Sequence, residues 1–218
     1  MGLTARCQGD FPTALRLLAE SLDIERAQDP TGTPDVLGYA NVGITAFEMG
    51  DTALGRQWLD QAHALAKNEG DEWTQAFIAN ALAEVHRVEG MPETARALAS
   101  TSLALFQKLG DTHYEPEPRL ALGHLALERG DLLEAQRQCD AVLAAYQTSQ
   151  DTHGLALALQ LQAWIRLAGG QPGAREEAQA LVTQSVALRA SFNRALSPLE
   201  IAQQEALQRA LDGSGRAL

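Results

Sequence analysis

The sequence predicts an all-α fold: a right-handed α-solenoid of about five antiparallel helix pairs, followed by a C-terminal capping helix. Three observations support this prediction. Hydrophobic residues make up 45% of the 218-residue chain and aromatic residues only 5%, so alanine and leucine, the best helix formers, supply most of the apolar content. Turn residues recur about every 40 positions. A second series of turns falls between them, so each repeat contains two helices.

The first series of turns is marked by glycine, at Gly9, Gly50, Gly90, Gly130 and the pair Gly169-Gly170. The second series is marked by Asp71, Asp111 and Asp151, which are 40 residues apart. In such turns glycine ends one helix in the left-handed conformation, and an aspartate side chain caps the next helix. The fifth turn is placed at Gly169, which follows Gly130 by 39 residues.

These turns divide the chain into repeat units. The predicted units are approximately 1–29, 30–70, 71–110, 111–150 and 151–191, with a capping helix over 197–211 and a flexible tail over 212–218. We expect residues 1–211 to form a single domain, because one repeat cannot bury its apolar face without its neighbours. The capping helix is expected to cover the open end of the array. Its start at Ser197-Pro198-Leu199-Glu200 matches a capping box with proline at the first helical position.

Small residues occupy matching places in the units. Seven positions before each first-series glycine lie Gly2, Gly43, Ala83 and Gly123, whereas Gln162 breaks the pattern in the fifth unit. Small side chains at fixed positions let paired helices approach closely. This pattern resembles the tetratricopeptide repeat (TPR) family. The unit of about 40 residues is similar to the extended TPR repeats of bacterial signalling proteins, transcriptional regulators and kinesin light chains.

The resemblance implies that the first helix of each repeat lines a concave groove, chiefly through repeat positions 2, 5, 9, 12 and 13, which we call the groove positions. The candidate partner-binding residues at these positions are Phe47, Glu48, Asn80, Glu84, Arg87, His124, Glu128 and Arg166. Arginine alternates with apolar residues at position 12, and each arginine comes within reach of a glutamate one repeat away. This ladder is either a set of ordinary surface ion pairs or a striped groove whose arginines bind a partner's carboxylates.

Charge and cysteine content exclude several classes of function. The net charge is −11 and the 17 lysines and arginines are scattered, so we expect no direct nucleic-acid binding, which needs a basic face. No apolar run approaches the roughly 20 residues that a membrane span requires, and we expect no membrane association. The N-terminus does not have the pattern of a signal peptide. Cys7 and Cys139 are the only cysteines, which favours the reducing cytoplasm.

The tripeptide Asp-Thr-His occurs twice, at 111–113 and 151–153, and has two interpretations. A zinc site would need four ligands close together, and no cysteine or third histidine lies near in the repeat pattern. A helix cap needs only the aspartate, at the start of a helix. We therefore expect caps, with no metal and no cofactor. The sequence has no phosphate loop, nucleophile elbow or metalloprotease signature, so we expect no enzyme.

Two functional hypotheses follow. The first is a non-catalytic protein-interaction or regulatory module that binds a protein or peptide segment in its groove. The second is a ligand-sensing or self-associating domain, such as a homo-oligomer, that controls an attached output domain. Because Gly2 falls in the middle of a first helix, we expect a fragment of a larger bacterial signalling or transcription-control protein, the alternative being a degenerate first repeat. An apolar segment filling the groove would favour the sensor, and an open channel with free arginines would favour peptide binding.

Overall fold

The structure, a computed structural model, describes residues 1–29, 32–190 and 195–213. Over these residues the chain is all-α and contains no strand, and the predicted all-α solenoid class is confirmed. The helices are α1 Gly2–Cys7, α2 Phe11–Gln28, α3 Val36–Glu48, α4 Thr52–Glu69, α5 Glu72–Val88, α6 Pro92–Leu109, α7 Pro116–Glu128, α8 Leu132–Ser149, α9 Thr152–Gly169, α10 Ala174–Ala190 and α11 Pro198–Leu211. The helices α1 and α2, α3 and α4, α7 and α8, and α9 and α10 pack against each other as pairs.

The chain divides into two compact units. Unit 1 comprises Met1–Leu105 and Asn193–Ile201, and unit 2 comprises Phe106–Phe192 and Ala202–Leu218. Unit 1 therefore holds α1 to α5, and unit 2 holds α7 to α10. The expected single domain over residues 1–211 stays a prediction. Of the expected tail, residues 214–218 lie outside the described part of the chain.

The core of unit 1 is built where α3 crosses α4. Gly43 on α3 faces Gly55 on α4, and a Cβ added at Gly43 would lie 3.0 Å from the Gly55 carbonyl oxygen and 2.8 Å from Leu59 Cγ. Glycine therefore allows the two backbones to approach closely. Leu59 is fully buried in a cluster that also contains Val42 and Ala62. The small residues that defined the repeat thus mark the helix crossing of this pair.

The first-series turns have the expected left-handed glycines, with one correction. Gly9, Gly50, Gly90 and Gly130 have positive φ, and in the fifth turn the residue with positive φ is Gly170, while Gly169 ends α9. The fifth unit is therefore in a register one residue later than predicted, 40 rather than 39 residues after Gly130. Seven positions before Gly170 lies Ala163, which is fully buried. The small residue is present in every unit, and Gln162 does not break the pattern.

The second-series turns end with one unfavourable residue. Gly70 and Gly110 have φ values of 73° and 68°, and the matching position after α8 holds Gln150 at φ 57°. A left-handed backbone costs a non-glycine residue about 1–2 kcal/mol. Replacing Gln150 by glycine would remove this cost. Glycine loses more chain entropy on folding, worth about 0.5–1 kcal/mol, so the gain in stability would be only part of that cost.

We expect Gln150→Gly to raise the free energy of unfolding by about 0.5–1 kcal/mol, measured by urea denaturation. The reverse change at the matching turn, Gly110→Gln, serves as the control and should lower the free energy of unfolding, because Gly110 has φ 68°. A Gln150→Gly protein no more stable than the wild type would contradict the assignment of strain to this turn.

Aspartates cap the helices as the sequence predicts. Asp51, Asp131 and Asp151 each accept a hydrogen bond from the backbone N–H three residues later, at 3.0–3.1 Å. Asp111 accepts from the N–H groups of His113 and Tyr114, both at 3.0 Å, but caps a turn and not a helix. The helix α7 begins only at Pro116, because Pro116 and Pro118 have no N–H with which to close the preceding turn.

Asp71 accepts three hydrogen bonds in its helix cap. The Thr74 hydroxyl donates to its Oδ2 at 2.6 Å, and the N–H groups of Trp73 and Thr74 donate to its Oδ1. These hydrogen bonds, led by that of the Thr74 hydroxyl, hold the pKa of Asp71 below its usual value. A carboxylate with a lowered pKa stabilises the fold above the pKa of the unfolded state, and that contribution is lost as pH falls through the folded pKa.

We therefore expect the stability difference between the wild type and Asp71→Asn to be largest near neutral pH and to shrink as pH falls below about 4. Asparagine keeps one of the two accepting oxygens and does not titrate, so the pH dependence of the difference isolates the titration of Asp71. The measurement is urea denaturation of both proteins at several pH values. A difference that stays constant down to about pH 2.5 would show that Asp71 does not titrate with folding.

The C-terminal helix starts as predicted. The Ser197 hydroxyl accepts from the Glu200 N–H at 3.1 Å, and Glu200 Oε2 accepts from the Ser197 N–H at 2.8 Å, so the capping box is confirmed. Pro198 is the first residue of α11. Preceding this box, the Ala195 N–H donates to the Cys7 carbonyl oxygen at 3.3 Å, which places the segment before α11 against the end of α1 in unit 1.

Candidate functional site

In unit 1 the groove positions of α5 form one stripe along the helix. Asn80, Glu84 and Arg87 are partly buried on this stripe, and Val88 at its end is 44% exposed. The Arg87 guanidinium donates from Nε and Nη2 to Glu84 Oε2, at 3.2 and 2.9 Å. Arg87 thus holds a carboxylate of its own helix, at a spacing of three residues where side chains meet.

The neighbouring first helix of unit 1 contributes Phe47 and Glu48. Phe47 is 7% exposed and belongs to a buried cluster with Ala40 and Val85, so most of its ring is part of the core. Glu48 Oε2 lies 3.7 Å from Arg6 Nε, which joins the ends of α3 and α1. The expected pairing of an arginine with a glutamate one repeat away is present here.

In unit 2 the candidate residues differ in exposure. His124 is half-buried on α7, and Glu128 is exposed at the end of the same helix. Arg166 on α9 is exposed, and its Nε lies 3.5 Å from Glu177 Oε2 on α10. The corrected register of the fifth unit moves Arg166 out of position 12 and places Leu167 there. Arg166 was therefore assigned to the groove from a frame one residue too early.

The corrected register brings different residues of α9 to the groove positions. Position 5 is Gln160 and position 9 is Trp164, which are 7% and 8% exposed. Gln160 Oε1 accepts from Arg189 Nη2 on α10 at 3.3 Å. The sequence alone does not predict these two residues, because two adjacent glycines make the position of the turn ambiguous. The spacing of 40 residues between Gly50, Gly90 and Gly130, continued to Gly170, is the signal that identifies them.

The helix α11 adds apolar side chains to these positions in unit 2. Leu207 and Leu211 are 1% and 4% exposed and belong to one buried cluster with Leu127 and Trp164. Leu127 occupies position 12 of the fourth unit, and Ala206 and Ala210 of α11 pack against the same cluster. The sequence predicts this helix at the open end of the array and does not predict that its apolar residues share a cluster with groove positions.

The described part of the structure offers no site for a metal. Within it, no three or more histidine, cysteine, aspartate or glutamate side chains come together in a way that could hold an ion. Cys139 is fully buried, its thiol donates to the Ala158 carbonyl oxygen at 3.6 Å, and burial raises the pKa of this thiol to about 12. None of the helices in the described ranges is both long and apolar enough to cross a membrane.

Helix pairs that repeat every 40 residues, with small residues at their crossings, define a TPR-like α-solenoid. The chain is similar to BtubC (BKLC) from P. vanneervenii, with a TM-score of 0.65 and 22% identity over 88% of this chain and 78% of that one. It is also similar to a putative kinesin light chain from Podosopora anserina with nearly identical TPR-like repeats. That match has a TM-score of 0.60 and 18% identity, over 89% of this chain and 94% of that one.

At these identities the similarity concerns the fold, and the TPR-like resemblance of the sequence is confirmed at that level. No family model matches the sequence. The search of curated proteins also found no match.

Proposed function

We propose that this chain is a non-catalytic module that binds a protein or peptide segment along the groove positions of its first helices. The observation that carries the proposal is the stripe on α5. It combines an exposed apolar side chain, Val88, with an arginine that already holds a carboxylate, that of Glu84. A partner carboxylate reaching Arg87 exchanges with Glu84, since guanidinium groups bind carboxylates with directed hydrogen bonds.

The cellular setting belongs to the same proposal. The repeat length of about 40 residues resembles that of bacterial signalling and transcription-control proteins, and we propose such a protein as the source of this chain. A cytoplasmic location agrees with the two cysteines, which are both free, Cys7 exposed and Cys139 buried. The proposal includes no direct contact with nucleic acid, because the net charge of −11 opposes binding to phosphates.

The experiment is a selection of peptides from a random displayed library on the full chain, followed by binding measurements on one enriched peptide. We expect Arg87→Glu to weaken its binding about tenfold or more, because the reversal repels the partner's carboxylate. Arg16→Glu is the matched control, since Arg16 is exposed on the second helix α2 and pairs with Glu20. Equal binding by the wild type and Arg87→Glu would overturn the assignment of Arg87.

A second candidate, a ligand-sensing or self-associating regulatory domain, is favoured by one observation. Leu207 and Leu211 of α11 are buried among groove positions of unit 2, so the chain's own residues already fill part of that surface. Sedimentation velocity at several protein concentrations separates the candidates. A monomer–dimer equilibrium that the selected peptide does not change would favour self-association over peptide binding.

A further inference from the structure

The helix α11 is amphipathic and uses one face for burial. Leu207 and Leu211 are almost completely buried, at 1% and 4% exposure, and Ala206 and Ala210 are half-buried beside them. Ala202, Glu205 and Arg209 are exposed on the remaining surface of the helix. Two leucines four residues apart lie above one another on a helix, so they form a single apolar ridge.

This ridge shares a buried cluster with two groove positions of unit 2. They are Leu127 and Trp164, at positions 12 and 9 of their repeats, which are 5% and 8% exposed. In unit 1 the exposure of groove positions varies, from 7% at Phe47 to 40% at Leu37 and 44% at Val88. The leucines of α11 therefore contribute to the apolar cluster that contains the buried groove positions of unit 2.

A polar side-chain atom of α11 is buried without a hydrogen bond from the described residues. Gln204, one turn before Leu207, has its side-chain oxygen Oε1 buried, and no hydrogen-bond donor within the described ranges reaches it. A buried polar atom without a partner weakens an interface, because it loses its bonds to water and gains none. The buried oxygen of Gln204 therefore offsets part of the free energy that the apolar ridge contributes to the docking of α11.

We propose that α11 is a displaceable occupant of the groove in unit 2, and that the partner segment is an amphipathic helix with leucines four residues apart. This inference rests on the proposed function. The docked α11 indicates which shape and chemistry the groove positions accept: a leucine ridge flanked by alanines. A partner helix competes with α11 for Leu127 and Trp164, and binding is controlled by the fraction of molecules in which α11 has left.

Covalent linkage makes this competition strong. A segment tethered to its own binding surface has an effective concentration in the millimolar range, so an identical free peptide binds weakly until the tethered copy is removed. The free peptide also has to pay the entropy of forming a short helix. Changes in α11 that weaken or strengthen its docking should therefore change the apparent affinity for a free helix in opposite directions.

The experiment uses the full chain and a fluorescent synthetic peptide with the sequence of residues 198–211, followed by fluorescence polarisation. We expect the double variant Leu207→Asp/Leu211→Asp to bind the peptide at least about tenfold more tightly than the wild type does. Gln204→Leu removes the unpaired oxygen and should weaken binding of the peptide about threefold or more relative to the wild type. Ala202→Asp, on the exposed face of α11, is the control and should match the wild type.

The same peptide carrying aspartate in place of both leucines tests the ridge itself and should bind none of the proteins. Equal affinity of the wild type, the double variant and Gln204→Leu would overturn the proposal. A double variant that keeps the circular dichroism of the wild type and does not bind the peptide would also overturn it. If the double variant does not fold, Gln204→Leu decides, and unchanged peptide affinity in that variant counts against the proposal.

The outcomes separate this inference from the proposed function. Library peptides that bind the wild type and the double variant equally, and lose affinity on Arg87→Glu, leave the proposed function standing and overturn the role of α11. A second outcome is that the affinity for the 198–211 peptide rises in the double variant and falls in Gln204→Leu, while Arg87→Glu does not change the affinity for library peptides. That outcome supports the role of α11 and overturns the assignment of Arg87.

Discussion

Replacing Gly43 by leucine is expected to lower the free energy of unfolding by about 3 kcal/mol, the upper end of the typical cost of overpacking. A Cβ at this position would lie 2.8 Å from Leu59 Cγ, 3.0 Å from the Gly55 carbonyl oxygen and 3.1 Å from the Leu59 backbone nitrogen. Two of these three atoms belong to the backbone, so no rotamer change relieves the clash and α3 has to move away from α4. The gain in helix propensity, about 1 kcal/mol, offsets only part of the loss.

Gly169→Leu is the matched control, because a Cβ there meets no heavy atom within 4 Å and Gly169 is the last residue of α9. We expect its stability to stay within about 1 kcal/mol of the wild type. Urea denaturation of the three proteins provides the comparison. If Gly43→Leu were as stable as Gly169→Leu, the small residues of the repeat would not mark close helix crossings.

The second large effect is expected for Phe106→Ala in unit 2. Phe106 is fully buried and stacks on Tyr114, with the ring centroids 5.7 Å apart. Truncation of a buried phenylalanine typically costs about 3–5 kcal/mol, from lost transfer free energy and from the cavity that remains. Since a domain is stable by only about 5–15 kcal/mol, this single change should lower the thermal midpoint markedly.

Leu109→Ala, three residues further along α6, is the control, because Leu109 is 44% exposed. We expect this change to cost less than about 1 kcal/mol. Thermal unfolding followed by circular dichroism measures both variants. Similar midpoints for Phe106→Ala and Leu109→Ala would mean that Phe106 is not part of a packed core.

The features that the sequence predicts correctly are those that local chemistry determines. Asp51 and Asp151 cap helices because a short carboxylate reaches the free N–H groups of the first turn whatever the rest of the chain does. The capping box of Ser197 and Glu200 is equally local. Because these signals recur with the repeat period, they also predict the helix pairs and the all-α fold.

Features that depend on which of two neighbouring residues takes a given backbone conformation were harder to predict from the sequence. Gly169 and Gly170 are both able to adopt the left-handed conformation, and only packing decides that Gly170 does so. A shift of one residue rotates a helix by about 100°, which removed Arg166 from the groove positions and brought in Trp164. Residues at a groove position therefore require a register that is exact to one residue.

Long-range contacts were the least predictable. The leucines of α11 are spaced as on any amphipathic helix, and nothing in that spacing says which surface they cover. The partners of the arginines were also difficult to predict. Arg6 meets Glu48 of the next repeat, whereas Arg87 donates to Glu84 of its own helix. The choice among nearby carboxylates depends on side-chain conformations, which the repeat frame does not specify.

We expect partners to bind at the groove positions of the first helices. The most direct test is an amide NMR spectrum of the full chain, titrated with a peptide enriched in the library selection. We predict that the shifted amides map to α3, α5, α7 and α9 and to α11, whose ridge shares the groove cluster of unit 2. Shifts confined to the second helices α4, α6, α8 and α10 would contradict the claim.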